Sequence, residues 1–284
     1  MKIGFLLFEC YHQKRDIGSS RIRGRWIIRE FKKLGIEAEI FKQGAMYDVV
    51  VYQKVYWKEH AKNFKGLKIL DICDPDWLDG IDIVSILKYI DVITVSSLEL
   101  KKEIEKFTDK PVYFIDDGIL KLEKRKEHSG KTKMLCWFGY SGNFKVVEPA
   151  LMKIKKLGLK LRIISDGNLN TGICKVENIK WEKETANKYI KECDMCLLPD
   201  GLSGRFIYKS QNKTYQSWAL GLPVVKTPDQ LEKWIDGEER EKESIKRHKE
   251  VEKKLVKYRA KELLDLLVKH LIKKYENKKE KVKS

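Results

Sequence analysis

Residues 205–225 read Arg205-Phe-Ile-Tyr-Lys209-Ser-Gln-Asn212-Lys213-Thr-Tyr-Gln216-Ser-Trp-Ala-Leu-Gly221-Leu-Pro223-Val-Val. A polar, basic loop leads into a helical pattern from Lys213 to Leu220. Gly221 closes it, and Pro223-Val224-Val225 has the character of a short buried strand. A helix followed at once by such a strand is the building unit of an α/β fold. The start of the helix presents unpaired N–H groups and the positive end of its dipole, which suits an anion. Lys209 and Lys213 add cationic side chains there, so the segment is suited to holding a diphosphate. An ordinary helix start has the same appearance.

The alternation continues outward from this segment. Residues 134–138, 159–165 and 194–198 read as strands, with helical patterns over 146–157 and 185–192. Residues 121–133 are polar and charged and read as a linker. Before them the pattern recurs. Strands are expected over 2–8, 36–41, 49–52, 68–72, 91–96 and 112–115, and helices over 21–34 and 98–107. After residue 235 the chain is highly charged and lacks proline. Ile245, Val251, Leu255, Leu263, Leu266, Leu267 and Leu271 give it an amphipathic helical period. The expected organisation is α/β: two Rossmann-like domains, 1–125 and 126–235, facing across a cleft, with a charged helical extension over 236–284. Open parallel sheets bind ligands beyond the carboxyl ends of their strands, so the loops there are where site residues belong.

Composition agrees with this size. A chain of 284 residues suggests about two domains at roughly 150 residues each. Hydrophobic residues make up 42% of it, enough for sizeable cores, which excludes wholesale disorder. A mean hydropathy of −0.47 and the lack of a long apolar run argue against a transmembrane helix. Lys2–Phe8 is short and has no small-residue cleavage site, so it reads as a first strand rather than a leader, and a cytoplasmic location is expected. The net charge is +17, of which +6 lies in 236–284. Such a charge permits nucleic acid, anionic lipid or phosphate-bearing partners.

Six cysteines accompany five histidines. Cys193 and Cys196 have CxxC spacing, but no second pair follows and no histidine pair has zinc spacing. Buried structural thiols are expected, and no metal site.

Several segments, taken in order, resemble the GT-B glycosyltransferases, especially retaining ones of the glycosyltransferase-4 type. Ser217-Trp-Ala-Leu-Gly221-Leu-Pro223-Val-Val is similar to their EAMAxGxPVV signature, and Lys209-Ser-Gln-Asn212-Lys213 to the K-S-x-N-[KR] variant before it. Gly18-Ser19-Ser20-Arg21-Ile-Arg23 resembles the first glycine loop. Val92-Ile-Thr-Val-Ser96-Ser97 with Ile115-Asp-Asp117-Gly118 resembles a second pair of motifs. Trp137-Phe-Gly139 and Ile164-Ser-Asp166-Gly167 resemble the starts of the nucleotide domain. Two departures stand out. Tyr208 and Gln216 occupy the positions of the family's E-x7-E carboxylates, and Tyr140 replaces the arginine of a loop that maps onto Gly139–Lys145.

The resemblance implies sugar transfer from a nucleotide-sugar, a UDP-sugar here, to an acceptor hydroxyl, with retention and with no cofactor or metal required. It places the acceptor on 1–125 and the donor on 126–235. Gly18, Ser19, Arg21, Gly139, Ser141, Gly142, Asn143, Lys145, Asp166, Arg205, Lys209, Asn212, Lys213 and Gln216 are the donor-site candidates it implies. Gln216 retains the capacity to hydrogen-bond ribose hydroxyls.

The acceptor side has its own signals. Arg15, Arg21, Arg23, Arg25 and Arg29 place five of eleven arginines in fifteen residues. Arg21, Arg25 and Arg29 share one helix face at i, i+4, i+8. Arginine suits forked contact with phosphate, so Ser20, Arg23, Arg25 and Arg29 are acceptor or phosphate candidates. A solvated helix face is the plain alternative. Asp71, Asp74 and Asp76 cluster at the end of a strand, and Asp74 is the candidate to orient or deprotonate an acceptor hydroxyl. Tyr56, Trp57 and Trp77 lie near the same strand ends and could stack on a sugar or base. Short stand-alone GT-B proteins of phages, resembled in Gly18–Arg23 and Asp74-Pro-Asp-Trp77, point to a hydroxymethylated base in phage DNA, hence to a host cytoplasm. That acceptor is preferred over a glycan or lipid-linked acceptor at a membrane surface. A non-catalytic sugar-nucleotide-binding module is the third reading, encouraged by Tyr140 and Tyr208.

Overall fold

Strand β1 (Lys2–Leu7) shows how the first sheet is built. Ile3, Phe5 and Leu7 enter one hydrophobic cluster, and Leu6 enters another. Alternate residues of a strand face opposite sides, so a sheet fed this way is covered on both faces. Its other strands are β2 (Glu37–Ile40), β3 (Val49–Gln53), β4 (Leu67–Ile72), β5 (Val92–Val95) and β6 (Val112–Phe114). All pairings are parallel, in the order β2-β1-β3-β4-β5-β6. Helices Trp26–Lys33 and Val256–Lys283 cover one face, and Leu98–Ile104 packs on the other. The structure is a computed structural model describing residues 1–14, 16–201 and 204–283, with backbone alone for 278–283. Arg15 lies outside the described residues.

The second sheet contains β7 (Met134–Phe138), β8 (Lys160–Ser165), β9 (Lys175–Lys180), β10 (Met195–Leu197) and β11 (Val224–Val225). It too is parallel, in the order β11-β10-β7-β8-β9. Each expected strand is present within a residue or two. Strand β9 was not expected. It is an edge strand with charged residues along it and no apolar run, so its sequence carries no strand signal.

The chain forms two compact units. One contains Met1–Leu120, Ile207–Gln211 and the chain from Val256 onward; the other contains Lys121–Phe206 and Asn212–Leu255. The charged stretch expected as one extension is therefore shared. Helix Gly237–Val251 belongs with the second unit and Val256–Lys283 with the first. Residues 121–133 have no regular structure yet are firmly held within the second unit. The His128 ring hydrogen-bonds the Gly221 carbonyl at 2.7 Å, and the Thr132 N–H donates to the Ile235 carbonyl at 3.0 Å. Arg240 is fully buried and donates to Thr132 Oγ1 and to the carbonyls of Trp234, Ile235 and Gly130.

Candidate active site

In the second unit, β7 has β10 on one side and β8 on the other, so the chain reverses its direction of travel across the sheet at the β7/β10 boundary. A crevice opens beyond the carboxyl ends of strands at such a point. Gly139 follows β7 there with φ at +151°, a conformation that side chains with a Cβ rarely adopt. A Cβ on it would also stand 2.1 Å from Lys213 Nζ. The Lys213 ammonium is thus laid over the backbone, 4.9 Å from the centre of the buried Trp137 ring. Lys213 is the second residue of helix Asn212–Ala219, so cation and helix N-terminus coincide.

The loop after Gly139 is held from β8. Ser165 Oγ donates to the Gly139 carbonyl at 2.7 Å, and the Ser141 N–H donates to Asp166 Oδ1 at 2.8 Å. Burial would raise the Asp166 pKa, but the Ser141 N–H and Ser165 hydroxyl outweigh it and hold it below the usual range. Its negative charge is thereby committed to shaping the loop, and it is a poor neighbour for a phosphate. Gly142, Asn143 and Lys145 lie on the short 3-10 turn Ser141–Val146. Tyr140 is two-thirds exposed beside them. Gln216 donates to Asn187 Oδ1 at 2.7 Å, and Arg205 sits on the turn Gly204–Tyr208. The structure therefore brings Gly139, Ser141, Asp166 and Lys213 into one constellation.

Other candidates lie in the first unit. Lys209, expected beside the donor, donates to Asp74 Oδ1 at 2.6 Å. The Tyr208 ring meets Trp77 edge-on at 5.4 Å. Asp74 also takes Lys54 Nζ at 2.7 Å. Burial would raise the Asp74 pKa, but the two ammonium groups overcome it and hold it low. A carboxylate so held is a weak base, which counts against the deprotonating role expected of it. Lys54 carried no sequence signal, because one lysine among 48 is inconspicuous.

The arginine segment differs most from its expected role. Gly18–Ser20 forms one helical turn, Arg21–Arg25 a π-helical turn, and Trp26–Lys33 an α-helix. Arg23 is turned inward and is not available to phosphate. It reaches Asp71 Oδ2 at 2.8 Å through Nε, and through Nη1 the Ile115 carbonyl at 2.9 Å and Asp117 Oδ1 at 2.8 Å. Ser20, also expected at the acceptor, is buried and donates to Gln53 Oε1 at 2.8 Å. Arg21 pairs with Asp16, Arg25 with Glu9, and Arg29 with Glu30 at 2.8 Å. Gly18 and Ser19 make up the rest of the turn that carries Ser20.

Cys193 and Cys196 are buried, and Cys136 joins them, its sulfur 3.4 Å from that of Cys196. Among the described residues, no group of three acidic, histidine or cysteine side chains is arranged to hold a metal ion, and no helix is long and apolar enough to cross a membrane.

No protein-family model matches the chain, and no curated protein matches it in sequence. Solved structures do match its fold. The GtfA/B complex superposes with a TM-score of 0.55 at 10% identity, over 78% of this chain and 57% of that one. The pneumococcal O-GlcNAc transferase GtfA, in complex with UDP and GlcNAc, gives 0.52 at 12% identity over the same shares. The chain spans somewhat over half the length of these structures. The likeness establishes the GT-B fold.

Proposed function

We propose that the chain is a glycosyltransferase that takes a sugar from a UDP-sugar and transfers it to an acceptor hydroxyl with retention. The observation that carries this reading is the Gly139–Lys213 constellation: a glycine with no side chain under a lysine at a helix N-terminus, at the switch point of a GT-B sheet. The likeness to a transferase held with UDP and GlcNAc supports the choice of donor. In the reaction the acceptor oxygen bonds to the anomeric carbon, the bond from that carbon to the diphosphate breaks, and the diphosphate leaves with the electron pair. The hydroxyl proton passes to the departing diphosphate oxygen, which gains the negative charge.

Charge on the leaving group is the main demand. A helix N-terminus contributes about 0.3–1 kcal/mol, rising to about 2 in sheltered geometry. A preorganised donor aimed at developing charge contributes about 3–4 kcal/mol. Side-chain cations therefore matter more, and Lys213, Lys145 and Arg205 are assigned that role, with no metal ion needed. Asn212 and the Gly142–Asn143 backbone complete the donor side, and Gln216 the ribose side.

For the acceptor we propose the hydroxymethylated pyrimidine of duplex DNA. The net charge of +17 permits this acceptor and an anionic lipid surface alike, and the arginine-dense segment is what favours it. Arg25 and Arg29 remain about half exposed, although each already holds a carboxylate. A base in a duplex would have to be flipped out of the stack.

The test is a thermal-shift screen of nucleotide-sugars on the full chain. Ligand at about 100 times its Kd adds about 2.7 kcal/mol to the native state, a shift of several degrees. A shift with UDP-sugars supports the reading. No shift with any nucleotide-sugar, together with no release of nucleoside diphosphate, overturns it in favour of a binding module.

A further inference from the structure

The carboxyl edge of the first sheet contains a built site around Lys54. Among the described residues, the non-glycine positions with left-handed backbone are Gln13, Asp16 and Lys54, with φ of +51°, +46° and +54°. All three lie in the loops leaving β1 and β3, the strands between which this sheet reverses its order. Such a conformation persists in a side chain with a Cβ only where its surroundings enforce it. At Lys54 they do. Its N–H donates to the Asp71 carbonyl at 3.0 Å, and its ammonium lies 2.7 Å from Asp74 Oδ2, 3.2 Å from Asp76 Oδ1 and 5.1 Å from the Phe8 ring centre. Tyr56 closes the inner side by donating to Asp76 Oδ2 at 2.7 Å.

The cluster is graded from inside to outside. Side-chain exposure is 5% for Asp76, 12% for Lys54, 20% for Asp74 and 41% for Lys209. Lys54 thus grips the inner oxygen of Asp74, and the exposed Lys209 holds the outer one. Burial would lower the Lys54 pKa, yet the neighbouring Asp74 and Asp76 outweigh it and keep the ammonium charged. Burial raises the Asp76 pKa, because that carboxyl has one ammonium and a phenol where Asp74 has two ammonium groups. Tyr11, 44% exposed, and Trp57, whose ring is stacked on His60 at 4.8 Å, stand 5.9 Å apart in the segments that follow β1 and β3.

We infer that Asp74 Oδ1 is the subsite for the acceptor hydroxyl, that Lys54 is the positioning residue that fixes it, and that Lys209 is the ammonium the hydroxyl displaces. This rests on the transferase reading above. The outer ion pair suits exchange, because an exposed lysine gains little from a salt bridge. The hydroxyl then donates to an ionised oxygen already held in place from behind, a form of preorganisation. The exposed Tyr11 ring, backed by Trp57, supplies the surface on which the planar acceptor ring rests.

The test measures UDP release from UDP-glucose with hydroxymethylcytosine duplex as probe, with donor Kd followed by calorimetry. Lys209→Met is expected to lower the acceptor KM by about threefold, since a competitor is removed. Lys54→Met is expected to lower kcat/KM for the acceptor by about 100-fold, with partial recovery in Lys54→Arg. Donor Kd stays within about twofold in each. An acceptor KM unchanged or raised in Lys209→Met overturns the proposal, as does a donor Kd that moves as far as the acceptor KM. Lys209 is exposed enough that its variant folds even if Lys54→Met does not. A second readout works without the donor: NMR of methyl-labelled lysines with the hydroxymethylcytosine nucleoside. A saturable shift at Lys209, lost in Asp74→Asn, is expected. If the wild type releases no UDP, the transferase reading fails and this signal alone decides the subsite: its presence supports it, and its absence overturns it.

Discussion

Gly139 and Lys213 show what a sequence can and cannot state about a site. The glycine and the lysine were both legible as members of motifs, but their contact spans 74 positions of chain and only the fold reveals it. Lys209 looked equivalent to Lys213, four residues away, and binds Asp74 instead. Local sequence gives both a cation beside a helix start and says nothing of long-range partners. His128 makes the same point for stability. Its buried Nδ1 has no hydrogen-bond partner among the described residues, while the Nε2–H donates to the Gly221 carbonyl. Burial lowers its pKa, so the folded chain resists a proton that the unfolded chain accepts below about 6.5. The stabilisation from neutral His128 is complete above that value and is lost as pH falls through the folded pKa. His60 and His270 are lowered in the same direction. The melting temperature is expected to fall between about pH 7 and pH 5.5, and less steeply in His128→Gln, by scanning calorimetry. A melting temperature that rises on acidification contradicts this assignment.

At the scale of elements, the segment from Gly18 to Lys33 was legible as helical and its inner face was not. The helical period places Arg23 and Gly24 on the same side as Ile27, Ile28 and Phe31, all of them buried. An arginine reads as solvent-facing until its partners are known, and Asp71 and Asp117 lie 48 and 94 positions away. Gly24 allows the close approach, since a Cβ there would meet Leu7 Cδ2 at 2.2 Å. Asp71 has a second side-chain donor in Thr94, whose Oγ1 lies at 2.7 Å. Removing the guanidinium strands two carboxylates in the interior. Arg23→Met is expected to destabilise the chain by about 3–5 kcal/mol. Combining it with Asp71→Asn and Asp117→Asn should restore more than half of that loss, because neutral amides cost less to bury. Thermal unfolding of the single and triple variants checks this; a single variant as stable as the wild type overturns the structural role of Arg23. Strand β9 is the other element-scale lesson. It forms because β8 offers an edge, a tertiary cause with no trace in its own charged sequence.

The two sheets of the whole molecule were visible in the alternation of strand and helix, and the fold follows from that pattern. The partition of the chain was less visible. Ile207–Gln211 and Val256 onward join the first unit although the sequence around them reads continuously with the second. Charge is the whole-molecule property that bears on the acceptor. If duplex DNA is bound, neutralising several phosphates makes affinity fall steeply with salt. The binding experiment is therefore run in low salt first.

In the proposed function a UDP-sugar reacts over Gly139. The most direct measurement of this is UDP release, matched to sugar incorporated into hydroxymethylcytosine duplex, for the wild type and Gly139→Ala. The added methyl would displace the Lys213 ammonium, strain the backbone and press on the rim of the Trp137 ring at 3.3 Å. Matched release and incorporation are expected in the wild type. A loss of about 100-fold is expected in a variant that still melts as a folded protein. Transfer by Gly139→Ala at the wild-type rate, or a wild type that consumes no UDP-sugar at all, would contradict it.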